Sequence, residues 1–225
     1  MITHLACVMD GNRRWATRQG KYPWSGHAAG AKTVETVIRF CLDHNIPYLS
    51  LYTFSLENFK RPEQEQSYIF DIVIQQSESY LPMFIEQGVK IKFIGDLSQF
   101  PDKVKDVCKK VEEKTANQKK LQVNFLFGYG ARQEIVSAVQ SLLQQCPKDT
   151  VITKEMFESH LWTSGTPDPD LIIRTGGVQR LSNFLLYQSA YTEIRFLDTL
   201  WPDLTKEEIL KTVTSAVQVQ KNIGK

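Results

Sequence analysis

The stretch Val8-Met9-Asp10-Gly11-Asn12-Arg13-Arg14-Trp15 sets a carboxylate, a glycine and a basic pair where an apolar, strand-like run gives way to a helical pattern. Parallel sheets bind ligands outside the carboxyl ends of their strands, and the free amides and dipole at a helix N-terminus favour a phosphate group. Gly11 lets the backbone approach a ligand closely, Asn12 offers a donor, and Arg14 has the planar fork for a two-pronged bond to phosphate oxygens. An Asp beside a phosphate would repel it unless a cation lies between them. Asp10 therefore predicts Mg2+, which takes one or two carboxylates and completes its shell with substrate phosphate oxygens and water. Taken alone, the motif reads equally as a helix-capping Asp ahead of a solvated basic face.

Two further clusters follow apolar runs. Ser55-Leu56-Glu57-Asn58-Phe59-Lys60-Arg61-Pro62 comes after Tyr48 to Phe54, and Arg174-Thr175-Gly176-Gly177-Val178-Gln179-Arg180-Leu181-Ser182-Asn183 comes after Leu171 to Ile173. The second offers two arginines, two glycines and a hydroxyl in one loop, a composition able to enclose a diphosphate. Any one of the three could be a solvated loop. Together they point to a site for more than one phosphate group.

The elements that would carry these clusters are legible as alternation. Short β-prone runs at Leu5 to Met9, Tyr48 to Phe54, Val89 to Ile94, Leu121 to Phe127, Leu171 to Ile173 and Ile194 to Leu197 read as strands. Between them lie helical stripes such as Val34, Val37, Ile38, Cys41 and Ile135, Val136, Val139, Leu142, Leu143. The pattern predicts βαβ units: an α/β fold with a mostly parallel central sheet flanked by helices, in a single domain over residues 1–225. Thr205-Lys206-Glu207-Glu208 predicts a capping box, Thr205 on the Glu208 amide and the Glu208 side chain returning the bond. From Ser67 to Gln87 the helical pattern is apolar on two faces, which fits a helix buried on both sides, a dimer interface or one wall of a lipid-sized cavity.

A chain of 225 residues, 42% hydrophobic, can bury a sizeable core, and its net charge of +2 gives no global field for nucleic acid. Cys7, Cys41, Cys108 and Cys146 form no CxxC pair and suit reduced core thiols rather than structural zinc. The apolar start of the chain is interrupted at Asp10, short of signal-peptide or membrane-spanning length, so a soluble, cytoplasmic protein is expected, one that could still touch a membrane surface.

Over almost its whole length the chain resembles the cis-prenyltransferases, typified by undecaprenyl diphosphate synthase. The landmarks are Met9 to Trp15, Gly26-His27-Ala28-Ala29-Gly30, Phe54 to Pro62, Ile173 to Gly177 with Arg180 to Phe184, and Trp201-Pro202-Asp203. The resemblance implies a homodimer of α/β subunits, each enclosing an elongated hydrophobic tunnel with a diphosphate at its mouth. By the family pattern Asp10 would hold Mg2+ and assist departure of the allylic diphosphate, with Glu193 assisting the metal site. Gly11, Asn12, Arg14 and His27 would bind the allylic diphosphate, and Arg174, Arg180 and Ser182 would hold isopentenyl diphosphate. Asn58 would help accept the proton, and Trp15 and Phe59 would pack near the substrates. The implied substrate-binding set is completed by Arg13, Ser55, Leu56, Glu57, Arg61 and Leu181.

The chain departs from the pattern in places. Pro23 stands where the family usually has a phosphate-binding Arg, with Lys21 or Arg18 as nearby substitutes, and Phe59 replaces the usual Trp. Val178-Gln179 replaces Glu-His, Gly128 to Arg132 replaces Asn-Tyr-Gly-Gly-Arg, and the basic tail is thinned at Gln220 to Gly224. Retention of Asp10, Asn58, Arg174, Arg180, Ser182 and Glu193 favours working Mg2+ chemistry over a non-catalytic partner subunit. The expected reaction joins isopentenyl diphosphate to an allylic prenyl diphosphate, with an undecaprenyl-like product. The alternative is a short-chain or irregular synthase, which Thr53 favours because long-chain members often carry a smaller Ala there.

Overall fold

The structure is a computed structural model that describes residues 2–218. The thinned tail at Gln220 to Gly224 lies outside the described residues. Six strands form one sheet: β1 (His4–Val8), β2 (Tyr48–Ser55), β3 (Val89–Ile94), β4 (Leu121–Tyr129), β5 (Leu171–Arg174) and β6 (Glu193–Phe196). Their order is β3-β4-β2-β1-β5-β6, and every pairing is parallel. All five β1 residues are buried, as a strand covered by helices on both faces requires.

Alternate strand residues feed two cores. Leu5, Cys7, Leu49 and Leu51 join the larger core with α2 (Gly26–Asp43), α3 (Glu63–Glu86), α4 (Asp102–Thr115) and α7 (Lys206–Val217). Ala6, Val8, Leu126 and Ile172 join the smaller one, under α5 (Ala131–Gln145), with α6 (Lys154–Ser159) nearby. Cys7, Cys41 and Cys108 are buried as free thiols.

Two local expectations change. Thr205 does accept the Glu208 amide at 3.2 Å, but the Glu208 carboxylate takes the Thr199 hydroxyl at 2.7 Å instead of returning the bond. On α5 the core face is Ala131, Glu134, Ala138 and Leu142, while Val136, Val139 and Leu143 of the expected stripe are exposed.

From β1 the chain first builds toward β2, β4 and β3, then returns to β1's other side for β5 and β6. The reversal falls between β1 and β5, the switch point where open parallel sheets bind ligands. The register brings Val8 level with Tyr52 and with Arg174, so all three predicted clusters leave the sheet at one edge.

Candidate active site

After β1 the chain turns through Gly11 at φ +113° into α1 (Asn12–Arg18). A Cβ on Gly11 would meet Leu200 at 2.9 Å, so this turn requires glycine twice over. Asp10 is fixed by its backbone carbonyl, which accepts the Thr175 hydroxyl at 2.7 Å and the Trp201 amide at 3.0 Å. Its carboxylate faces two arginines, Arg174 at 2.8 Å and Arg14 at 3.3 Å. Gly176, at φ +86°, leaves the space that the Arg14 guanidinium occupies.

Arg174 ends β5 with its side chain buried, donating to the Ser182 hydroxyl at 2.8 Å and to the Arg180 carbonyl. Its Nε is buried without a partner. Ser182 and Asn183 hold the left-handed conformation, which folds the loop back so that Arg180 also reaches Ser182, at 3.2 Å. The third cluster is therefore a closed basic loop beside Asp10.

The second cluster leaves β2 as a 3₁₀ turn over Leu56–Lys60. Ser55 and Asn58 cap it reciprocally, the Asn58 Oδ1 accepting the Ser55 amide at 3.0 Å. Glu57 accepts the Asn183 amide group at 2.9 Å, tying this turn to the basic loop.

Sequence reasoning missed Glu65. It opens α3, its side chain is 1% exposed, and it gathers Arg61 at 3.1 Å, His27 at 3.4 Å and Arg13 at 3.9 Å. Its Oε2 accepts no hydrogen bond. Burial first, and the Arg61 charge second, push the His27 pKa down to about 4. The available signal was the i,i+4 spacing of Arg61 and Glu65 just after the motif.

These groups open into a cavity of about 720 Å3, of the size that encloses a drug-sized ligand. Asp10, Asn12, His27, Ser55, Glu57, Asn58, Arg61, Arg174, Arg180 and Ser182 line its polar end. Its deep part is lined by Val34, Ile38, Ile69, Ile72, Val73, Met83, Phe84 and Phe125, so α3 is the wall of a lipid-sized cavity.

Other predicted residues lie elsewhere. Trp15 donates to Asp203 at 2.6 Å on the rim. Gly11, Arg13, Arg14, Leu56 and Leu181 are not in the cavity lining, and Leu181 packs against the smaller core. Phe59 sits 4.9 Å from both Phe54 and Phe100 in an aromatic cluster and is not in the cavity lining. Lys21, proposed to replace the missing Arg, lies over the Trp15 ring at 5.5 Å.

Glu193 requires a correction. It pairs in register with Leu171, which pairs with Leu5, so it stands at the amino end of the sheet. Asp10 lies two residues beyond Val8 at the carboxyl end, and the three residues from Leu5 to Val8 alone rise about 10 Å. Within one chain Glu193 pairs with Arg195 and does not join Asp10. Among the described residues no group of three or more His, Cys, Asp or Glu could hold a metal by itself.

A parallel sheet whose carboxyl edge gathers three basic loops over an apolar tunnel is the architecture of a prenyl transferase. The sequence profile described as "Putative undecaprenyl diphosphate synthase" matches residues 8–224, and the chain belongs to that cis-prenyltransferase family. The isoprenyl transferase of Thermotoga maritima is 38% identical over 223 residues, 98% of this chain and 96% of that one. The isoprenyl transferase of Heliobacterium mobile is 41% identical over 214 residues, 93% of this chain and 82% of that one. Among solved structures, lavandulyl diphosphate synthase from Lavandula x intermedia, in complex with dimethylallyl diphosphate, superposes with a TM-score of 0.95 at 28% identity, covering 100% of this chain and 98% of that one. A probable undecaprenyl diphosphate synthase from Campylobacter jejuni superposes with a TM-score of 0.84 at 37% identity, covering 100% and 99%.

Proposed function

We propose that this enzyme condenses isopentenyl diphosphate with an allylic prenyl diphosphate, such as farnesyl diphosphate, in a Mg2+-dependent reaction that yields a cis-polyprenyl diphosphate. One observation carries the reading: a continuous cavity joins the basic strand-end cluster to a wall of Ile, Val, Met and Phe. A nucleotide or sugar-phosphate site would need polar groups where these side chains stand.

In this reading Asn12, His27, Arg61 and the amides at the start of α1 hold the allylic diphosphate, with Arg13 and Arg14 at its rim. Arg174, Arg180 and Ser182 hold isopentenyl diphosphate. The double bond of isopentenyl diphosphate attacks the allylic carbon, the carbon–oxygen bond breaks toward the diphosphate, and a proton is then lost from the methylene carbon beside the resulting tertiary cation, which forms the new double bond. No Ser or Cys nucleophile is needed. Asn58, fixed at the cavity wall by Ser55, is the group we assign to assist the proton loss.

The donor set around Asp10 fits Mg2+: one hard carboxylate among groups that recruit phosphate oxygens, the way this ion is usually held. When bound, Mg2+ would stabilise the charge growing on the leaving diphosphate. Asp10 would hold it, which requires Arg174 to give up part of its hold on Asp10. The fixed guanidinium groups act in the same sense, because they bind the departing pyrophosphate, which gains one negative charge as the bond breaks, more strongly than the ester it comes from.

A short-chain or irregular product is the second reading, favoured by Thr53 in the cavity lining and by the closeness of fold to lavandulyl diphosphate synthase. We also propose a homodimer, with the exposed α5 face of Val136, Val139 and Leu143 covered by a second copy. No described helix is long and apolar enough to cross a membrane; we place the enzyme in the cytoplasm, with peripheral membrane contact for product release. The test incubates the protein with Mg2+ and labelled dimethylallyl, geranyl or farnesyl diphosphate separately, each with and without labelled isopentenyl diphosphate, then sizes the dephosphorylated products. A cis-polyprenol supports the reading; a branched product made without isopentenyl diphosphate moves it to the irregular synthase; no product with any primer sinks it.

A further inference from the structure

The tunnel wall carries a polar interruption far from the diphosphate end. Along α3 the lining runs through Ile69, Ile72 and Val73 and then turns polar at Gln76, Ser77 and Tyr80. Glu35 of α2 faces them, its Oε2 accepting the Tyr80 hydroxyl at 2.8 Å while Arg39 donates to Oε1 at 2.8 Å. These bonds, Arg39's first and Tyr80's second, hold the Glu35 carboxyl below the usual carboxylate range. The wall is therefore charged here, and covering an ionised group with hydrocarbon is costly. The Glu35 side chain is 29% exposed, which puts it at an opening between α2 and α3 rather than inside the core.

Past this point the lining passes into the main core. Phe84, Ile91 and Val111 are buried in the main core, and on the sheet side Phe93 stacks on Phe125 with centroids 5.5 Å apart. A growing chain that reaches this floor has two ways onward: into packed core, or sideways between α2 and α3 past Glu35.

We propose that the Glu35–Tyr80 hydrogen bond is a latch across a side opening between α2 and α3, and that latch and floor together set the length at which the product stops growing. The proposal rests on the prenyl-transfer reading above. From Glu65 at the diphosphate end to Phe84 at the floor, α3 rises about 28 Å. An extended chain advances about 1.2 Å per bond, so an isoprene unit of four chain bonds takes about 4.8 Å and the tunnel holds roughly six units. The enzyme thus makes a medium-length product, well short of an undecaprenyl chain.

The experiment sizes the products made from farnesyl diphosphate, isopentenyl diphosphate and Mg2+ by the wild-type chain, Tyr80→Phe and Glu35→Leu. Tyr80→Phe keeps the ring and loses the bond; Glu35→Leu also loses the charge. The wild-type chain is expected to stop by about six units, and both variants to shift the main product longer by at least one unit, Glu35→Leu further. A wild-type ladder running far beyond that length, or variants with the wild-type distribution, overturns the latch and leaves prenyl transfer standing. No product from the wild-type chain with any primer takes down the reaction and the latch together. For a variant too slow to size, calorimetric binding of prenyl diphosphates of increasing length decides the same question. Affinity should stop rising with length at the latch in the wild-type chain and continue rising in Tyr80→Phe; equal break points overturn the proposal.

Discussion

Asp10 and Arg174 neutralise each other at 2.8 Å, so each holds a charge that substrate and metal would otherwise engage. The carboxylate charge can be removed while an acceptor for Arg174 is kept: Asp10→Asn retains the hydrogen bond, and the Thr175 and Trp201 contacts go to the backbone carbonyl and are untouched. We expect kcat to fall by about 10²-fold or more, the scale of losing a stabiliser of transition-state charge, with little change in thermal midpoint. Steady-state kinetics beside calorimetry checks both halves; an unchanged kcat would remove Asp10 from the mechanism. Glu65 acts through others. An Arg side chain carries about 2 kcal/mol of rotamer entropy, and Glu65 removes much of that freedom from Arg61 before substrate arrives. Glu65→Gln also lowers the negative charge near the diphosphate, which favours binding, but a site with Arg61 in its lining and Arg13 and Arg14 at its rim gains little from one charge more. We expect KM for the allylic diphosphate to rise of order tenfold with kcat changed far less. A fall in kcat at constant KM would contradict the positioning role.

At the scale of elements, α1 and α2 fit because α2 presents glycines where α1 begins. A Cβ at Gly26 would clash with the Asn12 carbonyl, and one at Gly30 with the Asn12 side chain and with Trp201 Cδ1 at 2.8 Å. Alanine is the better helix former by about 1 kcal/mol, but overpacking costs about 1–3 kcal/mol, so the clash wins. Gly30→Ala should lose stability in urea and weaken diphosphate binding by moving Asn12. Gly26→Ala should be worse, because backbone cannot swing aside; the reverse order would mean that α1 yields as a unit. The strands themselves were legible in sequence because a parallel strand is covered on both faces and reads as an unbroken apolar run. The cluster positions followed, since all three begin where such a run stops. Register was not legible: only the pairing of β6 with β5 reveals that Glu193 lies at the wrong end of the sheet for Asp10. Nor was coverage, because periodicity marks Val136, Val139 and Leu143 as apolar without saying what lies over them. Glu65 read as one acid among the polar residues of a helix start, and only the fold brings His27 and Arg13 to it.

Across the whole molecule, the sheet is threaded by a polar line on the face opposite the tunnel. His4 donates from Nδ1 to the Pro167 carbonyl at 2.7 Å, and its Nε2 accepts the Ser50 hydroxyl at 2.8 Å. Ser50 in turn accepts from Asn124 at 3.2 Å, joining β1, β2 and β4. This arrangement needs a neutral imidazole, and burial, against the pull of Pro167 and the Asp170 charge, lowers the His4 pKa from 6.5 to about 4. His27 is lowered to about 4 as well, by burial and then by Arg61. Below pH 6.5 the unfolded chain takes up protons that the native state refuses until about 4, so the stability present above 6.5 is lost as pH falls through that window. Most carboxylates remain ionised in its upper part, so urea midpoints between pH 7 and about 5 isolate the histidines. The midpoint should fall with pH there, and His4→Gln, less stable at pH 7, should show a shallower slope. A wild-type midpoint that is flat across the window, or a variant slope equal to it, would mean that His4 takes its proton without disturbing the thread that ties the first strand to its neighbours.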